Sequence, residues 1–146
     1  MRIREAKIDD IAEMQRIRVA VKENILSDPS LVPDSMVAEF ISVRGKGWVA
    51  LLQDQVIGFA IADLKEDNIW ALFIDPEFEG QGAGKALHHT MLDWYFNQGK
   101  EQVWLSTDTH SRAAQFYRMQ GWQEVGPYGK TETKFSLTRT NWKERN

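Results

Sequence analysis

The stretch that most constrains this chain is residues 69–92, IWALFIDPEFEGQGAGKALHHTML. It reads as an apolar strand that breaks at Asp75-Pro76 and passes through Gly80, Gly82 and Gly84 into an amphipathic helix. Pro76 has no N–H for a sheet ladder, so the strand should stop there. The glycines let the backbone approach a ligand closely where the helix begins. A helix start carries unpaired N–H groups and partial positive charge, which suits a phosphate. The expectation is a pyrophosphate site between residues 80 and 86.

Two familiar nucleotide loops do not fit. A P-loop needs Gly where Glu79 stands, and Ser or Thr where Ala86 follows Lys85. A dinucleotide fingerprint begun at Gly80 needs Gly at Lys85; begun at Gly82, it needs Gly at Leu87. An ordinary glycine-rich strand-to-helix turn would also account for the spacing.

Length and charge set the frame. A chain of 146 residues suits one domain with a proper core. Its net charge of -3 leaves no basic excess for binding nucleic acid, although one pyrophosphate remains compatible. The absence of cysteine removes disulfides, thiolate metal sites and a cysteine nucleophile together. Neither a membrane-spanning run nor a signal-peptide core is seen, so a cytoplasmic protein with no membrane partner is expected.

Along the chain, residues 2–7 alternate as a short strand. Asp10 and Glu13 have capping-box spacing ahead of a helix reaching about Lys22. Residues 24–34 read as a loop, with Asp28 and Asp34 either solvated or able to attract a cation. A second helix should start near Asp34 or Ser35 and bury Val37, Phe40 and Ile41. Residues 48–52 and 56–62 read as a hairpin of strands, with Gly58 marking a bulge or a close backbone contact. The helix after the glycines should end near Gly99. A strand at 103–105, a helix at 111–119 and a closing pair of strands at 122–126 and 132–138 complete the order. The tail from Thr140 is expected to fray.

Gln81-Gly82-Ala83-Gly84-Lys85-Ala86 resembles the Q/R-x-x-G-x-G/A signature of the GCN5-related N-acetyltransferase (GNAT) family. A second stretch, HSRAAQFYRMQGW over residues 110–122, resembles the family's late motif, an R-A-x-x-F-Y helix leading to a G-F or G-W strand start. The order of elements also matches the family over residues 2–138. The resemblance implies a single α+β domain, with a mixed, mostly antiparallel sheet flanked by about four helices.

It also implies an acetyltransferase that moves the acetyl group of acetyl-CoA directly onto a primary amine. The acceptor would be a small molecule or a peptide. By the same resemblance, the backbone of Leu72, Phe73 and Ile74 pairs with the pantetheine arm. Gln81, Gly82, Ala83, Gly84, Lys85 and Ala86 hold the pyrophosphate, His110 stands where many relatives place a pantetheine-binding asparagine, and Tyr117 protonates the leaving thiolate. Each role has a plainer reading: a central strand for 72–74, polar turn or solvated residues for Gln81 and Lys85, a helix cap for His110. For Tyr117 it is core packing, and the expected division is that Phe116 fills the core while Tyr117 faces the cofactor.

An amine acceptor is almost wholly protonated at neutral pH, so a base or water chain is needed. The glutamate base of one branch, the ribosomal-protein acetylases, is replaced by Leu105. Asp63, Glu66 and Asp108 sit at expected strand ends, as solvated carboxylates or as base. Trp70 and Trp104 are candidates to line the acceptor pocket or to pack the core. His88 and His89 should lie on the surface, and no metal is expected. A homodimer, frequent in the family, is compatible. The alternative to an enzyme is an acyl-CoA sensor or interaction module with the same fold.

Overall fold

The computed structural model describes residues 1–21 and 31–146. The expected loop at 24–34, with Asp28, lies outside the described residues up to position 30, as does Lys22. The chain divides into two compact units, Met1–Tyr95 and Phe96–Asn146. Among the described residues there are seven strands and five α-helices.

In the first unit, β1 (Arg2–Glu5), β2 (Gly45–Leu52), β3 (Gln55–Asp63) and β4 (Asn68–Ile74) pair in chain order, each antiparallel to the next. α1 (Ile11–Ala20) and α2 (Asp34–Glu39) cover one face, and α2 runs into a wider helical turn over Phe40–Arg44. Ile11, Met14 and Ile17 of α1 join Val37, Phe40 and Ile41 over Val49, Leu51, Phe59, Ile61 and Ala71 of the sheet. The expected burial of Val37, Phe40 and Ile41 is therefore observed. α3 (Ala83–Phe96) serves the opposite face, where Trp94 meets Trp48 edge-on at 5.4 Å.

The hairpin between β2 and β3 turns through Gln53 and Asp54, both with positive φ (51° and 66°), which matches the right-handed twist of the strands. β2 begins at Gly45, three residues before the expected start at Trp48. A Cβ on Gly45 would lie 1.8 Å from the Ala62 carbonyl oxygen, so only glycine lets the strands run this close. Two bulges follow. Ile57 is the extra residue between Ala50↔Gly58 and Leu51↔Val56, which places the expected irregularity beside Gly58. Trp70 is the extra residue between Ile61↔Ala71 and Ala62↔Ile69.

The Asp10–Glu13 capping box is not formed. Asp10 has helical backbone angles and makes no cap bond onto α1. Its carboxylate instead accepts from the Lys7 N–H at 2.7 Å and from both terminal nitrogens of Arg4 at 2.8 and 2.9 Å. A short 3-10 turn over Ile8–Asp10 precedes the helix and moves the role of anchor upstream.

The second unit pairs β5 (Gln102–Asp108) with β7 (Glu132–Thr138), and β7 with β6 (Gln123–Tyr128), all antiparallel. α4 (Arg112–Met119) is N-capped by Ser111, whose hydroxyl accepts from the Ala114 N–H at 3.0 Å. The tail does not fray into coil. Residues Arg139–Arg145 form α5, capped by the Thr138 hydroxyl on the Asn141 N–H. Trp142 explains the difference: it is buried and packs 6.4 Å from Phe96, and a buried indole repays the ordering of a short helix. Arg145 adds a bond to the Met119 carbonyl at 3.2 Å.

The Arg4 guanidinium beside Asp10 holds that carboxyl below its usual range, against the opposing effect of burial. A carboxyl with a lowered folded pKa stabilises the fold fully above the ordinary carboxylate range, and that contribution is lost as pH falls through the folded value. Asp10→Asn should therefore lower stability at pH 7 by about 1–2 kcal/mol and flatten the acid side of the stability curve. Denaturant titrations of both proteins between pH 3 and 7 check this; parallel curves would contradict it.

Candidate functional site

β4 stops where the first motif predicts, and Asp75 shows how. Its N–H donates to the Ile57 carbonyl at 2.8 Å, so the bulged residue of β3 receives the first residue beyond β4. Its buried carboxylate accepts from the Glu77 N–H at 3.0 Å and from Arg16 of α1, also at 3.0 Å. A 3-10 turn over Pro76–Phe78 follows, with Pro76 in its first turn. Gly58 lies under this junction: a Cβ there would meet Ile74 Cδ1 at 2.7 Å and the Phe73 carbonyl oxygen at 3.1 Å. The close-contact expectation for Gly58 thus holds alongside the bulge.

Gly80 and Gly82 have positive φ (77° and 86°), and nothing lies within 4 Å of a Cβ built on either. Their need for glycine is conformational, and the space beside them is open. The first bond of α3 runs from the Ala86 N–H to the Gly82 carbonyl at 3.0 Å. The N–H groups of Ala83, Gly84 and Lys85 therefore have no acceptor within the helix. Gln81 and Lys85 are exposed, Ala83 is buried, and Gly84 and Ala86 are half-buried. This open turn, with three donors at the positive end of a 14-residue helix, fits a diphosphate. On β4, Leu72, Phe73 and Ile74 are half-buried and pair with Ala60, Phe59 and Gly58 of β3.

His88 departs from its expected place. It is 2% exposed, whereas His89 on the next position is exposed. His88 shares the inward face of α3 with Leu92 and Tyr95 at helical spacing, and that face is buried.

In the second unit, Tyr117 is 6% exposed and Phe116 half-buried, so Tyr117 is the more buried of the pair, against the expectation that Phe116 fills the core. Tyr117 packs edge-on against Phe116 and Trp122 and tilted against Phe135. Burial pushes its phenol well above the ordinary tyrosine range, so it stays neutral and able to donate a proton. His110 is exposed, and its N–H donates to Asp108 Oδ1 at 2.9 Å. It does not cap α4, because Ser111 does.

Leu105, where a base would stand, is a core residue opposite Phe135. Asp63 is buried and held by Arg44 at 3.1 and 2.6 Å and by the Lys65 N–H at 3.0 Å, so it is neither solvated nor free to act as a base. Glu66 and Asp108 are exposed, and Asp34 accepts from Gln15 Nε2 at 3.3 Å. Trp104 is half-buried, with Tyr128 5.6 Å away and the Lys134 ammonium over its ring. On the same face of β5, Ser106 Oγ donates to Glu132 at 2.9 Å. Sequence reading missed Glu132 because the register of β5 with β7 is a tertiary fact. Among the described residues no three His, Asp or Glu side chains group as a metal site. No described helix is long and apolar enough to cross a membrane.

Trp70 takes a position the strand alternation alone would not give. The bulge swings it onto the α1–α2 face, where its ring stacks on Phe40 at 3.8 Å and 6°. Over it lies Arg18 of α1, with its guanidinium carbon 5.0 Å from the Trp70 ring, 5.3 Å from Phe73 and 5.9 Å from Phe59. Arg18 was not a candidate from sequence. It reads as one polar residue at the end of an apolar helical stripe, and only packing reveals that it is buried.

Comparison with known proteins adds a separate line of observation. The profile of the Acetyltransferase (GNAT) family matches residues 13–122. N-acetylaspartate synthetase from Danio rerio is 32% identical over 84 residues, covering 54% of this chain and 30% of that protein. Human N-acetyltransferase 8 is 32% identical over 97 residues, covering 60% of this chain and 43% of the relative. The chain thus spans less than half the length of the curated relatives it matches. Among solved structures, the ribosomal-protein-S18-alanine N-acetyltransferase of Escherichia coli superimposes with a TM-score of 0.75 at 19% identity, covering 94% of this chain and 92% of that one. The PaiA N-acetyltransferase of Thermoplasma acidophilum, solved with coenzyme A, gives 0.78 at 16% identity, covering 94% and 98%. Likeness at such low identity shows the fold, and the fold is the one the two motifs implied.

The buried phenols carry a pH consequence. Burial raises Tyr117, and burial followed by the Asp67 carboxylate raises Tyr95. Raised folded values leave stability complete below the unfolded tyrosine value of about 10, and it is lost as pH rises toward the folded ones. In an alkaline titration, phenolate absorbance from these two side chains should appear together with loss of circular dichroism. Tyr117→Phe should reduce that joint signal. Ionisation of Tyr117 ahead of unfolding would show that the phenol is not held in the core.

Proposed function

The chain belongs to the Acetyltransferase (GNAT) family, and from that premise we propose that it acts as one catalytic domain transferring the acetyl group of acetyl-CoA to a primary amine. The observation that carries this reading is the open glycine turn at the start of α3, with the N–H groups of Ala83, Gly84 and Lys85 lacking helical acceptors. In this reading those groups bind the pyrophosphate, with Gln81 and Lys85 beside them. Leu72, Phe73 and Ile74 bind the pantetheine arm through their backbone, and an amide near Phe73 or Ile74 supports the oxyanion that forms at the thioester carbonyl. His110, exposed at its turn, contributes a ring donor to the same arm. The bound thioester supplies an activated acyl group and a thiolate leaving group.

Tyr117 is the proton donor to that thiolate. Burial keeps the phenol protonated at neutral pH, as an unperturbed tyrosine also is, so the role rests on the resemblance of the R-A-x-x-F-Y helix and not on the shift. Asp63 is tied to Arg44 and Leu105 carries no charge, so removal of the amine proton falls to another group or to water. The names of the relatives, N-acetylaspartate synthetase and N-acetyltransferase 8, agree with an amine acceptor.

The test is thiol release from acetyl-CoA over a panel of amino acids, polyamines, small amines and peptides. Tyr117→Phe should lower kcat by about 10²-fold while leaving acetyl-CoA affinity within about twofold. Equal turnover in variant and wild type would remove Tyr117 as the acid. Tight acetyl-CoA binding without turnover on any acceptor would favour the acyl-CoA sensor instead. Gly82→Val provides the independent arm: a β-branched residue at φ 86° strains the turn and closes the open side, so acetyl-CoA affinity should fall at least about tenfold.

A further inference from the structure

Arg18 presents an unusual charge. The residue is only 7% exposed, and its Nε and Nη2 are buried with no hydrogen-bond partner among the described residues. Burying a guanidinium without an acceptor is costly, and the aromatic faces of Phe59, Trp70 and Phe73 offset only part of that cost. Burial pushes its pKa down to about 10, so it is still a cation at neutral pH.

The two unsatisfied nitrogens share one edge of the guanidinium. Nε–H and the outer Nη2–H point the same way, at the spacing of two carboxylate oxygens. The same molecule shows this edge in use: Arg44 holds both oxygens of Asp63 with its Nε and Nη2 at 3.1 and 2.6 Å. Arg18 offers the same fork with no described carboxylate in it. Its place is also informative, because it lies on the Phe73 ring, and Phe73 belongs to the strand segment assigned to the thioester arm.

We propose that Arg18 binds the carboxylate of the acceptor, which makes the acceptor an amino acid or a close analogue, with amine and carboxylate a few bonds apart. The inference rests on the acetyltransfer reading above and names its substrate class. Trp70, swung out of the strand by its bulge and backed by Phe40, holds the guanidinium from below, and Phe59 and Phe73 flank it. The cation fixes one end of the acceptor, so the free amine at the other end is presented to the strand.

The experiment compares standard amino acids, each beside its carboxamide, in which a neutral amide replaces every carboxylate. Carboxamides have the less basic amine, which works against the expected result. The wild-type protein should show kcat/KM at least about 30-fold higher for the acid than for the amide of its best acceptor. Arg18→Met should bring that ratio close to one, and Arg18→Lys should retain part of it. Equal rates on acid and amide in the wild type would overturn the inference and leave acetyl transfer standing. A ratio that persists in Arg18→Met would overturn it too, assigning Arg18 to packing alone. If Arg18→Met does not fold, the wild-type ratio and Arg18→Lys decide. Should no acceptor turn over, calorimetry with coenzyme A present separates the two readings. Binding of amino acids but not carboxamides would uphold the Arg18 site and sink the transferase; binding of neither would sink the Arg18 site.

Discussion

The buried carboxylate of Asp75 is the fastening on which the candidate site depends. It joins three separately formed pieces: the end of β4, the 3-10 turn that leads to the glycines, and α1 through Arg16. Its backbone adds a fourth link, from its N–H to the bulged Ile57 of β3. Arg16 also reaches the Val56 carbonyl and Glu13, so α1 is tied to the strand below it as well as to the turn. Asp75 is buried while Arg16 is exposed, so removing Arg16 would leave the desolvated carboxylate without its charged partner. The direction in which the glycine turn leaves the sheet follows from this arrangement.

From that junction the first unit presents two different kinds of donor. Around α3 the donors are backbone N–H groups, held by helix geometry and made accessible by glycines with positive φ. On the α1–α2 face the donor is a side chain, Arg18, held by aromatic rings. Backbone donors suit an invariant feature such as a diphosphate, because they do not depend on which side chains surround them. A caged guanidinium suits the variable half of a transfer reaction, since one substitution changes what is recognised.

Much of this fold was legible because its signals are local. Pro76 ends a strand wherever it stands, Gly82 with a following apolar stripe starts a helix, and Ser111 followed by an apolar face marks α4. The misses share a cause. Asp10 was read as an N-cap from spacing, but the partner that claims it, Arg4, comes from β1. α5 was read as a loose tail because its helical signal is weak; Trp142 orders it by packing near Phe96. The burial of His88, and of Tyr117 more deeply than Phe116, depends on which side of a helix meets the sheet, and adjacent residues about 100° apart leave that choice open.

By itself, the sequence determined the order of elements, the turn at the start of α3 and the two motifs that mark the family, because each rests on backbone chemistry or contiguous residues. Tertiary structure alone decided which charges are paired. It gave Asp63 to Arg44 and Asp75 to Arg16, and it left Arg18 between aromatic rings with its fork unfilled among the described residues. The reason is physical: a charge is defined by what surrounds it in space. Residues 16, 18, 70, 73 and 75 meet only when α1 packs on the strands, and residues 44 and 63 only when the turn after α2 reaches β3.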